Sequence, residues 1–321
     1  MSVHPGLVEV ASGLKFPEGP IAMSDGSVIL VEMFGPRITR VHPDGRKETV
    51  AEIVGGPNGA AIGPDGALYL CNNGGCFTEV DLGGLCFPGP FDRSRYVGGR
   101  IQRVDLGTGT VDDLYTHCDG RPLRAPNDLV FDGKGGFWFT DHGIRDNEAR
   151  TSDLTGIYYA RVDGSSIVEA AFPAEGPNGI GLSPDGSTLY WAETHTGRVF
   201  KRRIVGPGQL EPTMPGDTSV VLCGLPGLQL FDSLAVDGAG NVCVATLVNG
   251  GITVISPEGE VLKHVATGDL LTTKSASPPT DRRRRGSRCR APDDWCAWIG
   301  RGPASLSRTA PEPPGLAGHR R

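Results

Sequence analysis

The sequence predicts an all-β chain, a six-bladed β-propeller of four-stranded blades, and three observations lead there. Gly 48 and Pro 26 among 321 residues, with apolar runs that are short and bounded by turn residues, call for many strands joined tightly. A phrase of apolar strand, tight turn and apolar strand recurs five times. The recurrences are spaced by roughly 40 to 65 residues, the spacing of propeller blades with loop insertions.

In chain order the phrase runs over Ile21–Glu32 around Asp25-Gly26, Ala60–Asn72 around Asp65-Gly66, and Asp128–Asp141 around Gly133–Gly136. It returns in Gly179–Glu193 around Asp185-Gly186 and in Ser233–Thr246 around Asp237–Gly240. Asp-Gly between alternating apolar segments is a hairpin signal, because glycine accepts the positive φ such turns need. A second phrase, a Gly or Pro followed by a short alternating strand that ends at another turn, comes after most hairpins, as at Pro36–Gly45, Gly99–Asp105, Gly156–Gly164 and Gly251–Gly259, so each unit holds about four strands. The longest insertion is Asp81–Gly98. Five blades are expected to be complete by about Ala266, the sixth drawing on the chain beyond Leu270 with Leu7–Ala11 closing the ring. A β-sandwich would leave the repeat without a cause.

The propeller is expected to occupy residues 1–273. From Lys274 the repeat stops, and residues 274–321 carry 11 Lys/Arg against 4 Asp/Glu, which reads as a basic, disordered tail. The rest of the chain then holds 20 basic against 33 acidic residues, a net of −13 inside a total of −6. A one-nucleotide frame shift within the Lys274 codon permits an alternating strand, a glycine turn and a second strand, so the tail is expected to be an out-of-frame reading of the missing blade. An acidic body disfavours nucleic acid and anionic membranes as partners and suits a cation. With no run near the roughly 20 apolar residues of a membrane span and no leader at Met1–Gly6, a cytoplasmic protein is expected. The eight cysteines form no CxxC pair and read as mostly buried thiols, a Cys76–Cys86 loop disulfide being the alternative.

In a propeller the turn leading into each innermost strand opens onto the central channel. These inner turns read Phe16-Pro-Glu-Gly-Pro20, Gly56-Pro-Asn-Gly59, Ala125-Pro-Asn-Asp128, Gly176-Pro-Asn-Gly179 and Leu230-Phe-Asp-Ser233. Each puts an oxygen-bearing side chain at the same repeat position: Glu18, Asn58, Asn127, Asn178 or Asp232. Repeat symmetry makes the five converge on the axis as a hard-oxygen cage suited to one divalent cation, Ca²⁺ ahead of Mg²⁺, Mn²⁺ or Zn²⁺. A single Pro-Asn-Gly would be only a good turn. No Gly-x-Ser-x-Gly elbow, P-loop or dinucleotide fingerprint is present, which argues against serine-nucleophile and nucleotide chemistry.

Phe16-Pro-Glu-Gly-Pro20, Pro126-Asn-Asp-Leu-Val130 with Phe137-Trp-Phe-Thr-Asp141, Pro177-Asn-Gly-Ile-Gly181 with Pro184-Asp-Gly186, and Asp232-Ser-Leu-Ala-Val-Asp237 together make the chain resemble the senescence-marker-protein, gluconolactonase and luciferin-regenerating-enzyme family over Leu7–Thr273. The resemblance implies a metal-dependent hydrolase of a small lactone, its cation held by Glu18, Asn178 and Asp232, with Asn127 on metal or substrate. Asp232 is then the catalytic residue, as ligand and candidate base. Asn58 and Arg124 complete the expected substrate contacts. Arg124 is displaced by one residue, across a proline, from the arginine some members use, and the family position itself is Ala125. His142, Asp141 and His195 read as surface-loop residues, with His142 and Asp141 as alternatives for a base. Two other functions fit the same channel: phosphotriester hydrolysis and a non-catalytic scaffold around a structural cation.

Overall fold

The computed structural model describes residues 7–83, 86–214, 216–276, 297–300 and 305–309. It is an all-β propeller. Among the described residues the one helical element is a short turn at Thr218–Val220, and no helix is long and apolar enough to cross a membrane.

Five antiparallel sheets succeed one another along the chain. Blade 1 is Pro17–Ala22, Val28–Glu32, Arg37–Val41 and Lys47–Glu52, and blade 2 is Pro57–Ile62, Leu68–Asn72, Arg100–Val104 and Val111–Tyr115. Blade 3 is Pro126–Phe131, Gly136–Asp141, Thr155–Arg161 and Ile167–Ala174. Blade 4 is Pro177–Leu182, Thr188–Glu193 and Arg198–Gly206, the last paired with both Gln209–Leu210 and Val221–Gly224. Blade 5 is Leu230–Val236, Val242–Leu247, Gly251–Ile255 and Val261–Ala266. Five blades therefore stand where six were expected, because the strand-turn-strand phrase that builds a blade occurs five times and ends at Ala266. Leu7–Ser12, Ser305–Thr309, Ala297–Gly300 and Lys274–Ala276 pair into one further four-stranded sheet, in that order. Lys274–Ala276 lies against the innermost strands of blades 5 and 1. Three parts of the segment expected to be a disordered tail are thus strands, and the rest of that expectation falls outside the described residues.

The core is a set of apolar layers between blades. Between blades 2 and 3 it holds Tyr69, Ile101, Phe137 and Phe139; between blades 3 and 4, Trp138, Ile157, Ile180 and Trp191. The second strand of each blade is buried on both faces, which is why these strands read as nearly unbroken apolar runs. Each large side chain enclosed in this way stabilises the fold by about 1.5–3 kcal/mol. Cys71, Cys76, Cys118, Cys223 and Cys243 are buried thiols. No disulfide joins Cys76 to Cys86, whose thiol donates to Glu79. Cys289 and Cys296 lie outside the described residues.

One irregularity repeats in all five blades and positions the site. Pairing of the first strand with the second breaks register between Glu18 and Ile21, Pro57 and Ala60, Pro126 and Leu129, Pro177 and Ile180, and Phe231 and Leu234. Such a break bends the strand and re-aims a side chain. The next residue lets adjacent inner strands meet. A Cβ on Gly59 would sit 2.4 Å from Asn127 O, and one on Gly179 2.1 Å from Leu234 N, distances that only glycine permits.

Candidate functional site

The five inner-turn side chains Glu18, Asn58, Asn127, Asn178 and Asp232 line one cavity of about 290 Å³. All are at most 6% exposed, so little water reaches them. Beside them stand Met33, His142 and Thr194, each one step past a second strand, and Leu247, the last residue of its own. Their placement is fixed by a repeated main-chain bond: Met33 N donates to Phe16 O, His142 N to Ala125 O and Thr194 N to Gly176 O. Phe77, Phe87 and Pro88, from the blade 2 insertion and its small hairpin, complete the mouth.

Two amides are left with an open oxygen. Asn178 Nδ2 donates to Thr194 Oγ1 at 3.2 Å, which fixes the amide, while Asn178 Oδ1 and Asn127 Oδ1 are buried without a hydrogen-bond partner. A buried acceptor left unsatisfied costs ~1–3 kcal/mol, a cost that a cation or a bound donor removes. Asp232 Oδ1 accepts from Ser233 N at 3.1 Å. Among the described residues no group of three or more His, Cys, Asp or Glu side chains is placed to hold a metal. The oxygen set here is of another kind, two carboxylates with amide carbonyls, and that chemistry fits a hard cation.

Sequence reasoning missed the residues that hold the inner turns. Where each second strand ends, Glu32, Asn72, Asp141 and Glu193 occupy the same repeat position. Glu32 accepts from Lys15 N at 2.6 Å and Asn72 from Gly56 N at 3.0 Å. Asp141 accepts from Arg124 N and Ala125 N, each at 2.7 Å, and from Gly143 N at 3.0 Å. Burial pushes the carboxyls of Asp141 and Glu193 up, against main-chain N–H groups that pull them down. At Glu32 burial is outweighed by Arg37, Thr39 and Lys15 N, and the carboxyl is held below its usual range. The signal was visible as a polar residue closing each apolar strand in VILVE32, LYLCN72, GFWFTD141 and TLYWAE193.

Three placements differ from the sequence reading. Arg124 is not among the cavity's lining residues: its Nε donates to Asp153 Oδ2 at 2.7 Å, and its guanidinium stands over Tyr96. Asp141 is buried behind the blade 3 turn and holds it. His142 and His195 line the cavity wall, their rings 5.3 Å apart. Burial lowers both imidazoles to about 4.

A sequence profile described as the SMP-30/Gluconolactonase/LRE-like region matches residues 16–280. The chain belongs to this family. Among curated relatives of the SMP-30/gluconolactonase/LRE-like chain, the lactonase drp35 of Staphylococcus haemolyticus is 25% identical over 259 residues, covering 81% of this chain and 71% of the relative. The gluconolactonase of Zymomonas mobilis is 25% identical over 286 residues, covering 79% and 70%. Among solved structures, a gluconolactonase from Xanthomonas campestris superposes with a TM-score of 0.71 at 21% identity, covering 95% of this chain and 89% of that one. The calcium-binding protein regucalcin from Agrobacterium tumefaciens gives 0.68 at 14%, covering 96% and 95%. At these identities the structural likeness speaks for the fold.

Proposed function

We propose that this chain is a divalent-cation-dependent hydrolase that opens a small lactone. The observation that carries the reading is the ring of oxygen-bearing side chains from equivalent positions of five blades around one cavity, with the Asn127 and Asn178 carbonyl oxygens buried and open. Relatives named lactonase and gluconolactonase support the reaction class. Glu18, Asn178, Asp232 and Asn127 are the proposed ligands, Ca²⁺ the first candidate, and Asn58 a substrate contact. When bound, the cation supplies Lewis acidity toward an ester carbonyl and toward water.

The chain's own residues do the rest. Glu18 and Asp232 provide fixed negative charge in a water-poor site, and the amides orient their carbonyls inward. Phe16, Met33, Phe77, Leu230, Leu247 and Leu271 make an apolar part of the wall beside His142, Thr194 and His195. That wall suits the hydrocarbon edge of a lactone ring and excludes bulk water. With Arg124 held by Asp153, no lysine or arginine is among the described residues lining the cavity, so a lightly substituted ring is a better match than a sugar lactone.

The test is hydrolysis of δ-valerolactone and glucono-δ-lactone by the full chain, with Ca²⁺ and after chelation. Turnover that is abolished by chelator and by Asp232→Ala supports the reading. Activity confined to organophosphates, or lactone turnover that survives Asp232→Ala, refutes it.

We further propose that residues 274–321 are read out of frame. The nucleotide sequence of the gene decides this: a restored frame lacking the strand pair rules the frame shift out.

A further inference from the structure

Ester hydrolysis needs a proton acceptor for the attacking water, and a carboxylate that binds a cation is a poor one, because the positive charge lowers its basicity. The cavity wall also holds two imidazoles, neither of them a proposed cation ligand. His142 Nδ1 lies 3.3 Å from Gly143 O, an acceptor, so Nδ1 carries the proton and Nε2 presents a lone pair. His195 Nε2 is buried and has no hydrogen-bond partner.

Both nitrogens lie near the same place. A Cβ built on Gly176 would lie 3.2 Å from His195 Nε2 and 3.5 Å from His142 Nε2. Gly176 opens the turn that carries Asn178, and its φ of +59° keeps the spot clear of any side chain. The imidazoles therefore converge on the head of a proposed ligand turn. Their rings meet edge to face at 5.3 Å, and Phe77 packs edge-on against His142 at 6.1 Å. The same two histidines, with Phe77 and Pro88, also line a neighbouring groove bounded by Phe91, Ile144 and Arg145, so they stand between the central cavity and the rim. Burial lowers both imidazoles to about 4, so near pH 7 both rings are neutral and accept a proton as weak bases.

We propose that His142 Nε2 is the proton acceptor for the attacking water, with His195 as its partner in the wall. The assignment rests on the lactone reading above. The O–H bond of water breaks, its proton goes to Nε2, and the oxygen lone pair forms a bond to the carbonyl carbon as the carbonyl π pair moves to oxygen. That pair returns, the bond from carbon to ring oxygen breaks, and the ring oxygen takes the proton back from Nε2. The product is the hydroxy acid and the imidazole is neutral again.

The experiment compares wild type, His142→Gln, His142→Ala, His195→Gln and Asp232→Ala in the full chain, with δ-valerolactone as the probe. His142→Gln is expected to lower kcat by about 100-fold or more with KM nearly unchanged, the size of a general-base contribution. Added imidazole is expected to restore part of the activity of His142→Ala. Nitrogen-15 spectra of labelled histidine are expected to show His142 with its proton on Nδ1. Wild-type kcat in His142→Gln, a loss that imidazole does not rescue, or a proton found on Nε2 overturns the assignment. If wild type opens no lactone, the lactone reading itself is refuted, and the nitrogen spectra still decide the placement of the acceptor.

Discussion

Replacing Asp141 by alanine would strip the acceptor from three main-chain N–H groups at once. Arg124 N and Ala125 N lie 2.7 Å from its carboxylate and Gly143 N 3.0 Å. Asp141 is 1% exposed, so water cannot take over where the fold stays intact. A buried donor without a partner costs ~1–3 kcal/mol, and with some relaxation of the turn the three together cost about 3–6 kcal/mol. Against a total stability of ~5–15 kcal/mol that is a large fraction. Asparagine separates the contributions. Its oxygen, placed at Oδ1, keeps Ala125 N and Gly143 N, while its NH₂ faces the Arg124 N–H, so Asp141→Asn is expected to lose about 1–3 kcal/mol. Urea unfolding followed by the fluorescence of the buried Trp138 and Trp191 measures both. The order alanine worse than asparagine, at unchanged m-value, is what the geometry demands. An alanine variant within ~1 kcal/mol of wild type, or an asparagine variant equally damaged, would refute the claim that this carboxylate holds the Asn127 turn.

Three further outcomes can be checked in the same way. Lys274 Nζ pairs with Asp128, whose side chain is fully buried, so Lys274→Met is expected to cost about 3–5 kcal/mol and to be partly repaired by adding Asp128→Asn, read by the urea midpoint. Gly179→Ala would force a methyl against the backbone of Ser233 and Leu234, at 2.5 and 2.1 Å, and is expected to lose about 1–3 kcal/mol or more, seen as a lower Tm. His142 and His195 are lowered to about 4 in the fold from an ordinary value of 6.5, so the unfolded chain binds more protons between those values. Their stabilisation is therefore complete above pH 6.5 and drains away as pH falls toward 4; the double change to glutamine should flatten that part of a stability-versus-pH curve.

Much of the architecture could be read from local chemistry. The Asp25-Gly26, Asp65-Gly66 and Asp185-Gly186 turns sit between the strands they were expected to join, because a positive φ at glycine is a local demand. The inner-turn side chains were found because repetition turns five weak signals into one, and all five line a single cavity. The features that escaped depend on direction and on partners far away in sequence. Nothing near Arg124 reveals that Asp153 will hold it. His142 and His195 looked like loop residues since Phe77, which packs on His142, and Pro88, which shares their cavity wall, come from an insertion of another blade. The blade count went astray at Lys274, where the sequence carries no turn phrase although strands still pair.

The repeated register break also bears on how such a molecule can change. Because every inner strand is bent by the same device, the backbone is indifferent to whether the side chain delivered there ends in an acid or an amide. Two positions now hold carboxylates and three hold amides, so the electrical character of the hub can be retuned by single substitutions, Asn58→Asp among them, while the scaffold stays the same. The charge of the hub is thereby uncoupled from architecture, and a lineage built this way can change the chemistry at its centre without first having to refold.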